Sequence, residues 1–373
     1  MAKKEKSKYY SLNRILEEKA TYNVIIGERS NGKTYSVHKH SVKEYWENGY
    51  QYAIIRRYRE DFTGKRGDAM FNALVENGEI EKITGGKWTG VTYRASRWYF
   101  SKYDDNLETN IVDKEPFAYG FSLNAGEHDK STSYPRVKNI LFDEFLTRGY
   151  YLNDEFVLFM NTLSTIIREN DGVKIFMCAN TVNKYAPYFE EMGLTNVEKM
   201  KQGTIDLYRY GDSDLTVAVE YCATNKEGKK SDKYFAFNNP KLQMITGGAW
   251  EIAIYPHLPV KYMNDDIMMS YYIVFNRAIL QCDIVKKKID KSTSYFTYIH
   301  RKTTPLKDKK KDIIFSTEYS PKPNWFRRLG NPRNDIERKL FSFFKQEKVF
   351  YQDNEVGEIV RNYLNWCVTD KIS

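Results

Sequence analysis

The sequence predicts an α/β fold, in which helices flank a largely parallel sheet and a smaller domain of mixed α and β structure follows. Three observations lead to this prediction. Short apolar strands alternate with helical segments through the N-terminal half, which is the pattern that builds a parallel sheet. A loop with two glycines joins the first strand to its helix. A later apolar strand ends in two adjacent carboxylates, and the chain shows no internal repeat.

The composition excludes several classes of protein. With 373 residues the chain can form two domains, and its 29% charged and 15% aromatic residues exclude a disordered or collagen-like protein. The four cysteines are far apart, which indicates reduced thiols rather than disulfides or a zinc site. We expect a cytoplasmic protein because the N-terminus lacks the apolar core of a signal peptide and no apolar run reaches membrane-spanning length. The net charge of +9 favours a polyanionic partner without identifying it.

The first strand, at residues 24–26, leads into a phosphate-binding motif. The chain then reads Gly-x-x-x-x-Gly-Lys-Thr, after which a helix begins. The glycines let successive N–H groups converge on one phosphate, Lys33 reaches the β- and γ-phosphates, and the Thr34 hydroxyl holds Mg²⁺. A surface turn before a Lys-rich helix is the alternative, but the flanking strand and helix favour nucleotide binding. The residues expected to contact the nucleotide are Gly27, Arg29, Ser30, Asn31, Gly32, Lys33 and Thr34.

A second strand, at residues 52–55, runs directly into a basic cluster of Arg56, Arg57 and Arg59. This cluster lies beside the nucleotide site or at the inner surface of a ring, or it is an ordinary solvated turn. The pattern that follows predicts a helix at 68–77, strands at 91–103 and 117–122, and polar loops at 104–115 and 124–133.

The strand at residues 140–142 ends in Asp143 and Glu144. In P-loop enzymes an aspartate at such a strand end holds the Mg²⁺ shell, and an adjacent glutamate can take a proton from the attacking water. Two carboxylates after a strand can also be a plain polar turn. Their place downstream of a phosphate loop, in an alternating β/α pattern, favours the catalytic interpretation.

The remaining elements complete the predicted first domain, residues 1–205. Residues 153–155 cap a helix that ends at Arg168, and a strand at 174–178 is followed by Asn180. Asn180 either senses the γ-phosphate or is a simple turn residue, and periodicity does not decide between them. Short strands near 204–210 and 215–221 lie in more polar sequence. We therefore predict a linker at residues 206–235.

The predicted second domain, residues 236–373, combines strands with two C-terminal helices. Strands are expected at 250–255, 271–275, 278–283, 294–300 and 313–318, and helices at 334–346 and 354–368. Residues 286–311 hold ten Lys or Arg with interleaved aromatic rings. This segment is either a solvated loop or a nucleic-acid contact, with RNA as plausible as DNA. The lysines that we take as candidate RNA contacts are Lys286, Lys287, Lys288, Lys309, Lys310 and Lys311.

Together these residues resemble the DNA-packaging ATPases of phi twenty-nine-like tailed bacteriophages. The resemblance covers most of residues 12–195, and it is carried by residues 23–33, 54–58, 133–145, 166–168 and 179–189. It implies an additional-strand (ASCE) P-loop ATPase related to the large subunits of terminases. It further implies a homomeric ring, expected to have five subunits, that acts on the procapsid portal in the host cytoplasm. With ATP and Mg²⁺ as cofactors, such a ring drives double-stranded viral DNA into the procapsid.

The resemblance also assigns roles. It makes Asp143 the metal ligand and Glu144 the catalytic base. It makes Arg168 the arginine finger that a neighbouring subunit inserts, and Lys130 a second basic residue that acts in trans. It makes Arg59 a contact to DNA. A cation at a helix C-terminus is the plainer interpretation of Arg168.

For the second domain, the resemblance implies an RNase H-like nuclease that has lost cleavage and docks on a structural packaging RNA. One alternative is a terminase with an active nuclease, for which Asp283 and Glu251 are candidate carboxylates. Another is a nucleotide-gated nucleic-acid-binding module that does not hydrolyse ATP. The presence of Glu144, the candidate catalytic base, argues against this alternative.

Overall fold

Two sheets organise the chain in the computed structural model. The structure describes residues 10–125, 133–147, 151–152, 154–168, 170–182, 186–223, 255–258, 260–275, 277–289, 292–307 and 311–369. The chain divides into two compact units. The first comprises Met1–Arg148 and Asp154–Trp250, and the second comprises Gly149–Asn153 and Glu251–Ser373.

The first unit is built on a ten-stranded sheet. Its strands are β1 (Tyr22–Gly27), β2 (Gln51–Arg56), β3 (Gly90–Arg94), β4 (Arg97–Asp104), β5 (Thr109–Val112), β6 (Ala118–Ser122), β7 (Val137–Asp143), β8 (Lys174–Asn180), β9 (Thr204–Arg209) and β10 (Thr216–Tyr221). The spatial order is β3-β4-β6-β2-β7-β8-β1-β10-β9, and β5 pairs with β4. The six neighbours from β6 to β10 run parallel, which confirms the predicted fold class.

Strand β8 lies between β1, which precedes the glycine loop, and β7, which ends in Asp143. This inserted strand is the additional strand that the sequence led us to expect. The register places Gly27 opposite Asn180 and Asp143 opposite Cys178. The C-terminal ends of the three strands therefore meet at one edge of the sheet, which is where ligands bind in open α/β folds.

Helices cover this sheet on both faces. They are α1 (Asn13–Glu17), α2 (Lys33–Asn48), α3 (Gly64–Asp68), α4 (Asn72–Glu76), α5 (Glu79–Ile83), α6 (Glu155–Ile167) and α7 (Pro187–Glu191). Val37 of α2 shares a buried cluster with Leu141 and Phe176 of the sheet. The neighbouring residue Phe142 points to the opposite face, where its ring lies 4.9 Å from that of Phe159 in α6. Strands enclosed in this way are apolar nearly throughout, and β1 accordingly buries every residue after Tyr22.

Three local predictions in the first unit are wrong. The helix expected at 68–77 is broken into α3, a short 3₁₀ turn and α4. The strand expected at 91–103 is the hairpin β3–β4, because Ala95 and Ser96 take positive φ angles of 47° and 58° and reverse the chain. The polar loop expected at 104–115 contains β5.

The predicted linker at 206–235 is also wrong over its first part. Strand β10 pairs in parallel with β1, with Val24 opposite Val219, and β9 forms the edge of the same sheet. Residues 206–221 therefore belong to the first unit rather than to a linker. Residues 224–235 of the predicted linker lie outside the described residues.

The second unit contains a six-stranded sheet and two long helices. The strands are β11 (Ile267–Phe275), β12 (Ala278–Ile289), β13 (Ser292–Arg301), β14 (Ile313–Ser316), β15 (Trp325–Phe326) and β16 (Val349–Tyr351), and the helices are α8 (Asp335–Lys345) and α9 (Asn354–Thr369). The order is β15-β14-β11-β12-β13-β16. Strands β11, β12 and β13 form an antiparallel meander, β14 and β15 are added to it in parallel, and β16 pairs in parallel with β13. Residues 250–254 of the predicted first strand are not among those described.

Candidate nucleotide-binding site

The loop between β1 and α2 is shaped by its two glycines. A Cβ atom on Gly27 would lie 2.8 Å from the Cβ of Cys222, so no side chain fits there. Gly32 has a φ of 91° and Ser30 a φ of 62°, conformations that turn the chain back toward the sheet edge. Gly32 is also the N-cap of α2, and since it has no side chain, the first turn of the helix is left facing the loop. This backbone suits an anion.

Lys33 is buried and its ammonium group is held over the loop. Its Nζ donates to the carbonyl oxygens of Gly27 (3.3 Å) and Glu28 (2.6 Å). It also donates to Oδ1 of Asn31 (3.1 Å) and of Asn180 (3.4 Å). Burial lowers the pKa of Lys33, and the neighbouring Asp143 is among the groups that oppose this shift. Asn180 therefore lies in the site, as one of its two predicted interpretations requires.

Thr34 and Asp143 meet across the sheet edge. The Thr34 hydroxyl donates to Oδ1 of Asp143 at 2.9 Å, although 109 residues separate them in the chain. The Asp143 side chain is almost fully buried. A hydroxyl and a carboxylate oxygen in contact at the mouth of a phosphate loop are the ligands that Mg²⁺ takes from P-loop proteins. Thr34 and Asp143, each predicted to hold Mg²⁺, are thus in contact.

Arg56, at the end of β2, holds both carboxylates of the site. Its Nη2 lies 2.6 Å from Oδ2 of Asp143, and its Nη1 lies 3.0 Å from Oε2 of Glu144. Burial lowers the pKa of Arg56, but the two carboxylates raise it more, and the net shift is upward. Glu144 is 65% exposed and takes a left-handed φ of 58°. Among the alternatives given for the basic cluster, the position of Arg56 agrees with the one that placed the cluster beside the nucleotide site.

Arg57 fixes the segment that follows Asp143. Its guanidinium donates to both carboxylate oxygens of Glu155, at 2.7 and 2.8 Å, and to the carbonyl oxygen of Phe145 at 2.9 Å. Tyr188 donates to the same carboxylate at 2.8 Å. The sequence analysis placed Glu155 only in the cap of a helix and missed this buried ion pair. The only signal was the cluster of arginines after β2.

The glycine loop and the neighbouring strand ends enclose a cavity of about 240 Å³. Its walls come from the loop, the end of β7 and the end of β8: Arg29, Ser30, Asn31, Gly32, Lys33, Thr34, Tyr35, Asp143, Glu144, Ala179 and Asn180. A larger cavity of about 430 Å³ also includes Thr34. It is lined by α2, by Arg56 at the end of β2 and by residues between 61 and 74, and it lacks the glycine loop before Thr34, so we place the phosphates in the smaller one.

ATP and Mg²⁺ fit the smaller cavity by the chemistry of its residues. The loop backbone and Lys33 would hold the phosphates, and the oxygens of Thr34 and Asp143 would hold the metal. Mg²⁺ is usually bound through one or two carboxylates together with substrate phosphates. Among the described residues no group of three or more His, Cys, Asp or Glu could hold a metal ion.

Other predicted site residues lie elsewhere. Arg168 is exposed at the C-terminal end of α6 and is not one of the residues that line the cavity of its own chain. Arg59 is exposed after β2, where its backbone N–H donates to Oδ1 of Asn124 at 2.9 Å. Lys130 lies outside the described residues.

The lysines of the basic segment are only partly described. Lys286 to Lys288 lie at the end of strand β12 rather than in a loop. Nζ of Lys287 pairs with Asp266 at 2.6 Å, and Lys286 lies over the ring of Tyr295. Lys311 is exposed, whereas Lys309 and Lys310 lie outside the described residues.

Asp283, the candidate nuclease carboxylate, is the centre of a hydrogen-bonded network. Its Oδ1 accepts from Ser270 (2.6 Å) and Gln281 (2.9 Å). Its Oδ2 accepts from Tyr262 (3.0 Å) and lies 3.2 Å from Nε2 of His300. Both oxygens are therefore occupied by protein donors. Glu251, the other candidate, lies outside the described residues.

None of the helices that the structure describes is long and apolar enough to cross a membrane.

Comparison with known proteins gives a consistent set of relatives. The model of the family described as Podovirus DNA encapsidation protein (Gp16) matches residues 4–202. The DNA packaging protein of Bacillus phage B103 is 26% identical over 178 residues, which are 46% of this chain and 48% of that protein. The DNA packaging protein of Bacillus phage phi29 is 24% identical over 188 residues, 50% of each chain. The chain thus spans about half the length of the curated relatives it matches.

A solved structure extends the likeness in fold. The Phi-28 gp11 DNA packaging motor aligns with 99% of this chain and 100% of its own, with a TM-score of 0.55 and 18% identity. At that identity the likeness is one of fold alone. It includes the second unit, which the family model does not reach.

We expect replacement of Arg56 to make stability depend on Mg²⁺. In Arg56→Met the buried Asp143 loses its counter-charge, and the free energy of unfolding in EDTA should fall by about 3 kcal/mol. Millimolar Mg²⁺ should restore more stability to this variant than to the unchanged protein, since the metal then has a free carboxylate. Urea denaturation, in EDTA and in millimolar Mg²⁺, measures the loss of stability and its recovery.

Arg136→Met is the control. The pair of Arg136 with Glu115 has the same 2.6 Å length but is about half exposed, and it should contribute less than about 1 kcal/mol. Equal losses in the two variants, or no extra effect of Mg²⁺, would contradict this account.

The pair of His300 and Asp283 predicts a pH dependence of the second unit. The hydrogen bond to Asp283 raises the pKa of His300 above 6.5, against the effect of burial. Burial tends to raise the pKa of Asp283, but donors led by His300 lower it from 3.8 to about 2. The histidine's contribution to stability is complete below pH 6.5 and is lost as the pH rises through its folded pKa. The aspartate's contribution is complete above pH 3.8 and is lost as the pH falls toward 2.

The variant Asp283→Asn should therefore lower the pKa of His300. NMR titration of the His300 ring gives the pKa directly, and urea denaturation at several pH values gives the stability. The stability difference between the two proteins should shrink as the pH rises above the folded pKa of His300. An unchanged titration curve in the variant would show that Asp283 does not hold the proton of His300.

Proposed function

The chain belongs to the Podovirus DNA encapsidation protein (Gp16) family, and on this basis we propose that it is an ATP-hydrolysing motor that moves double-stranded viral DNA into a procapsid. One observation carries the proposal: the phosphate-loop residue Thr34 contacts Asp143 at 2.9 Å, with Glu144 next in the chain. A protein that only bound nucleotide would need no glutamate beside its metal ligand. The names of the relatives, DNA packaging proteins, support the substrate.

Each residue of the site has a role that follows from its position. Lys33 and the loop backbone hold and orient the phosphates, and Thr34 and Asp143 provide the oxygens for the metal. Bound Mg²⁺ would neutralise charge that builds up on the phosphoryl oxygens. Glu144, exposed at the mouth of the cavity, takes a proton from the attacking water. Since Arg56 pairs with the Glu144 carboxylate at 3.0 Å, this contact has to loosen before the glutamate can accept a proton.

The ring and its partners belong to the same proposal. We take the motor to be a homomeric ring of five subunits on the procapsid portal in the host cytoplasm. Arg168 and Lys130 would reach the nucleotide of the neighbouring subunit, and the exposed end of α6 leaves Arg168 in a position to do so. Arg59 would contact the DNA, and the lysines near 286–288 and 309–311 would contact a structural packaging RNA.

A terminase with an active nuclease is less well supported. A two-metal nuclease needs several carboxylates that converge on one point with oxygens free for metal. Asp283 has both oxygens occupied by side-chain donors, and the described residues contain no group of three metal-ligating side chains. We therefore propose that the second unit keeps an RNase H-like sheet but has no nuclease activity.

Replacing the base should uncouple binding from turnover. In Glu144→Gln the side chain keeps its size but cannot take a proton, and kcat should fall by about 10²–10⁴ while ATP affinity stays within a few-fold. Phosphate release and binding of a fluorescent ATP analogue measure the two quantities, with and without double-stranded DNA. Glu347→Gln is the control, because Glu347 is exposed and has a similar φ of 56°. Turnover that survives in Glu144→Gln would remove Glu144 as the base.

Mixing experiments should reveal whether Arg168 acts on a neighbour. If each subunit supplies an arginine to the next, Arg168→Ala subunits disable sites that are otherwise intact. An arginine finger is worth about 10³–10⁵ in rate, so a single variant subunit should stall its neighbour. DNA-stimulated hydrolysis should therefore fall faster than the fraction of unchanged subunits. Arg209→Ala, at an exposed arginine that ends β9, is the control. A strictly proportional fall would contradict a ring whose subunits depend on one another, and undiminished hydrolysis by Arg168→Ala alone would remove Arg168 from the reaction.

A further inference from the structure

Strands β4 and β5 form an arm that extends from the first sheet. Residues Ser101 to Asp104 pair with Thr109 to Val112 in antiparallel register, and β5 pairs with no other described strand. We call residues 102–115 the acidic arm. An isolated two-stranded ribbon of this kind is only marginally stable in water, so a partner that covers it would add stability.

Large apolar side chains are exposed on both faces of the acidic arm and in its turn. Tyr103 is 54% exposed, Leu107 65% and Ile111 41%. Tyr103 lies opposite Asn110 while Ile111 lies opposite Lys102, so the two apolar residues point to opposite faces of the ribbon. Single exposed apolar residues are ordinary, but three within one short hairpin indicate an interaction site.

The turn of the arm is fixed by hydrogen bonds. Oδ1 of Asp104 accepts from the backbone N–H groups of Asn106 (2.9 Å) and Leu107 (3.1 Å). Glu108 takes a positive φ of 49°, which completes the reversal. Leu107 is thus presented in one conformation rather than on a free loop, which lowers the entropy lost when a partner binds.

The charge of the arm selects the kind of partner. It carries two lysines and five acids, Asp104, Asp105, Glu108, Asp113 and Glu115, in a chain whose net charge is +9. Phosphate backbones would be repelled, so the arm is not a nucleic-acid contact. The remainder of the chain is strongly basic and is complementary to it.

We propose that the acidic arm docks on the basic surface of a second copy of this chain, as a contact between neighbouring subunits. The inference rests on the proposed ring, to which it adds the element that joins its members. Leu107 would be buried at the centre of the contact, with Tyr103 and Ile111 beside it. Asp105 and Glu108 would pair with lysines or arginines of the neighbour, and the contact would weaken as salt is added.

The test is self-association of the full chain. Sedimentation velocity with a non-hydrolysable ATP analogue should show assembly of the unchanged protein, weakening between 50 and 300 mM salt on the order of tenfold. The triple variant Asp105→Lys, Glu108→Lys, Leu107→Ser should weaken self-association at least about tenfold, equivalent to about 1.4 kcal/mol. Asp104 is left unchanged because it holds the turn. Each variant should bind the analogue like the unchanged protein, which excludes misfolding.

A matched control uses equally exposed positions in the second unit. Tyr319, which is 81% exposed, is changed to Ser and Glu347 to Lys, and self-association should be unaffected. If the unchanged protein assembles and the triple variant assembles equally well, the arm proposal is overturned while the ring stands. If the unchanged protein never self-associates, the ring itself fails and the arm with it. Normal assembly of the triple variant with loss only of procapsid binding would assign the arm to another protein and overturn the inference.

Discussion

The structure depends on one constraint, which is that the start of α2 and the end of β7 have to meet. The hydrogen bond between Thr34 and Asp143 joins them. Strand β8 lies between β1 and β7, so the two strand ends are separated by two spacings of about 4.8 Å each. Only a residue at the start of α2 and a side chain at the end of β7 can bridge that gap. The glycine loop brings the first into place, and the buried apolar strands fix the second. A shift of β7 by one residue would turn Asp143 to the other face of the sheet.

The charges of the site are balanced before any ligand binds. Carbonyl oxygens surround the Lys33 ammonium and Arg56 pairs with Asp143 and Glu144, so two cations face two carboxylates in the site. A buried charge without a partner is costly, and these contacts compensate the buried charges of the site. A nucleotide with its metal would bring both negative phosphate charge and positive metal charge. Binding would therefore exchange partners for these side chains rather than leave a charge without one.

The fold and the site were predictable to different degrees. Apolar runs and the spacing of Gly27, Lys33 and Thr34 are local signals, and they were sufficient for β1, β7, β8 and α2. The pairs Arg56–Asp143 and Arg57–Glu155 join residues 87 and 98 positions apart, and no local pattern encodes which acid an arginine will meet. Strand β5 was missed, and β9 was predicted as a strand but assigned largely to a linker. Edge strands are short and polar, and their pairing depends on a neighbouring strand rather than on their own sequence.

Two buried aspartates show why position within a fold is not enough to assign chemistry. Asp143 and Asp283 are both almost fully buried on strands of α/β sheets. The partners of Asp143 are a threonine and an arginine at the mouth of a cavity, and a metal cation can take the place of the arginine. The partners of Asp283 are a serine, a glutamine, a tyrosine and a histidine of its own unit, and a metal would have to break a satisfied network. Both carboxylates therefore have a donor on each oxygen, but those of Asp143 come from Thr34, itself an expected metal ligand, and from Arg56, whereas those of Asp283 form a structural network.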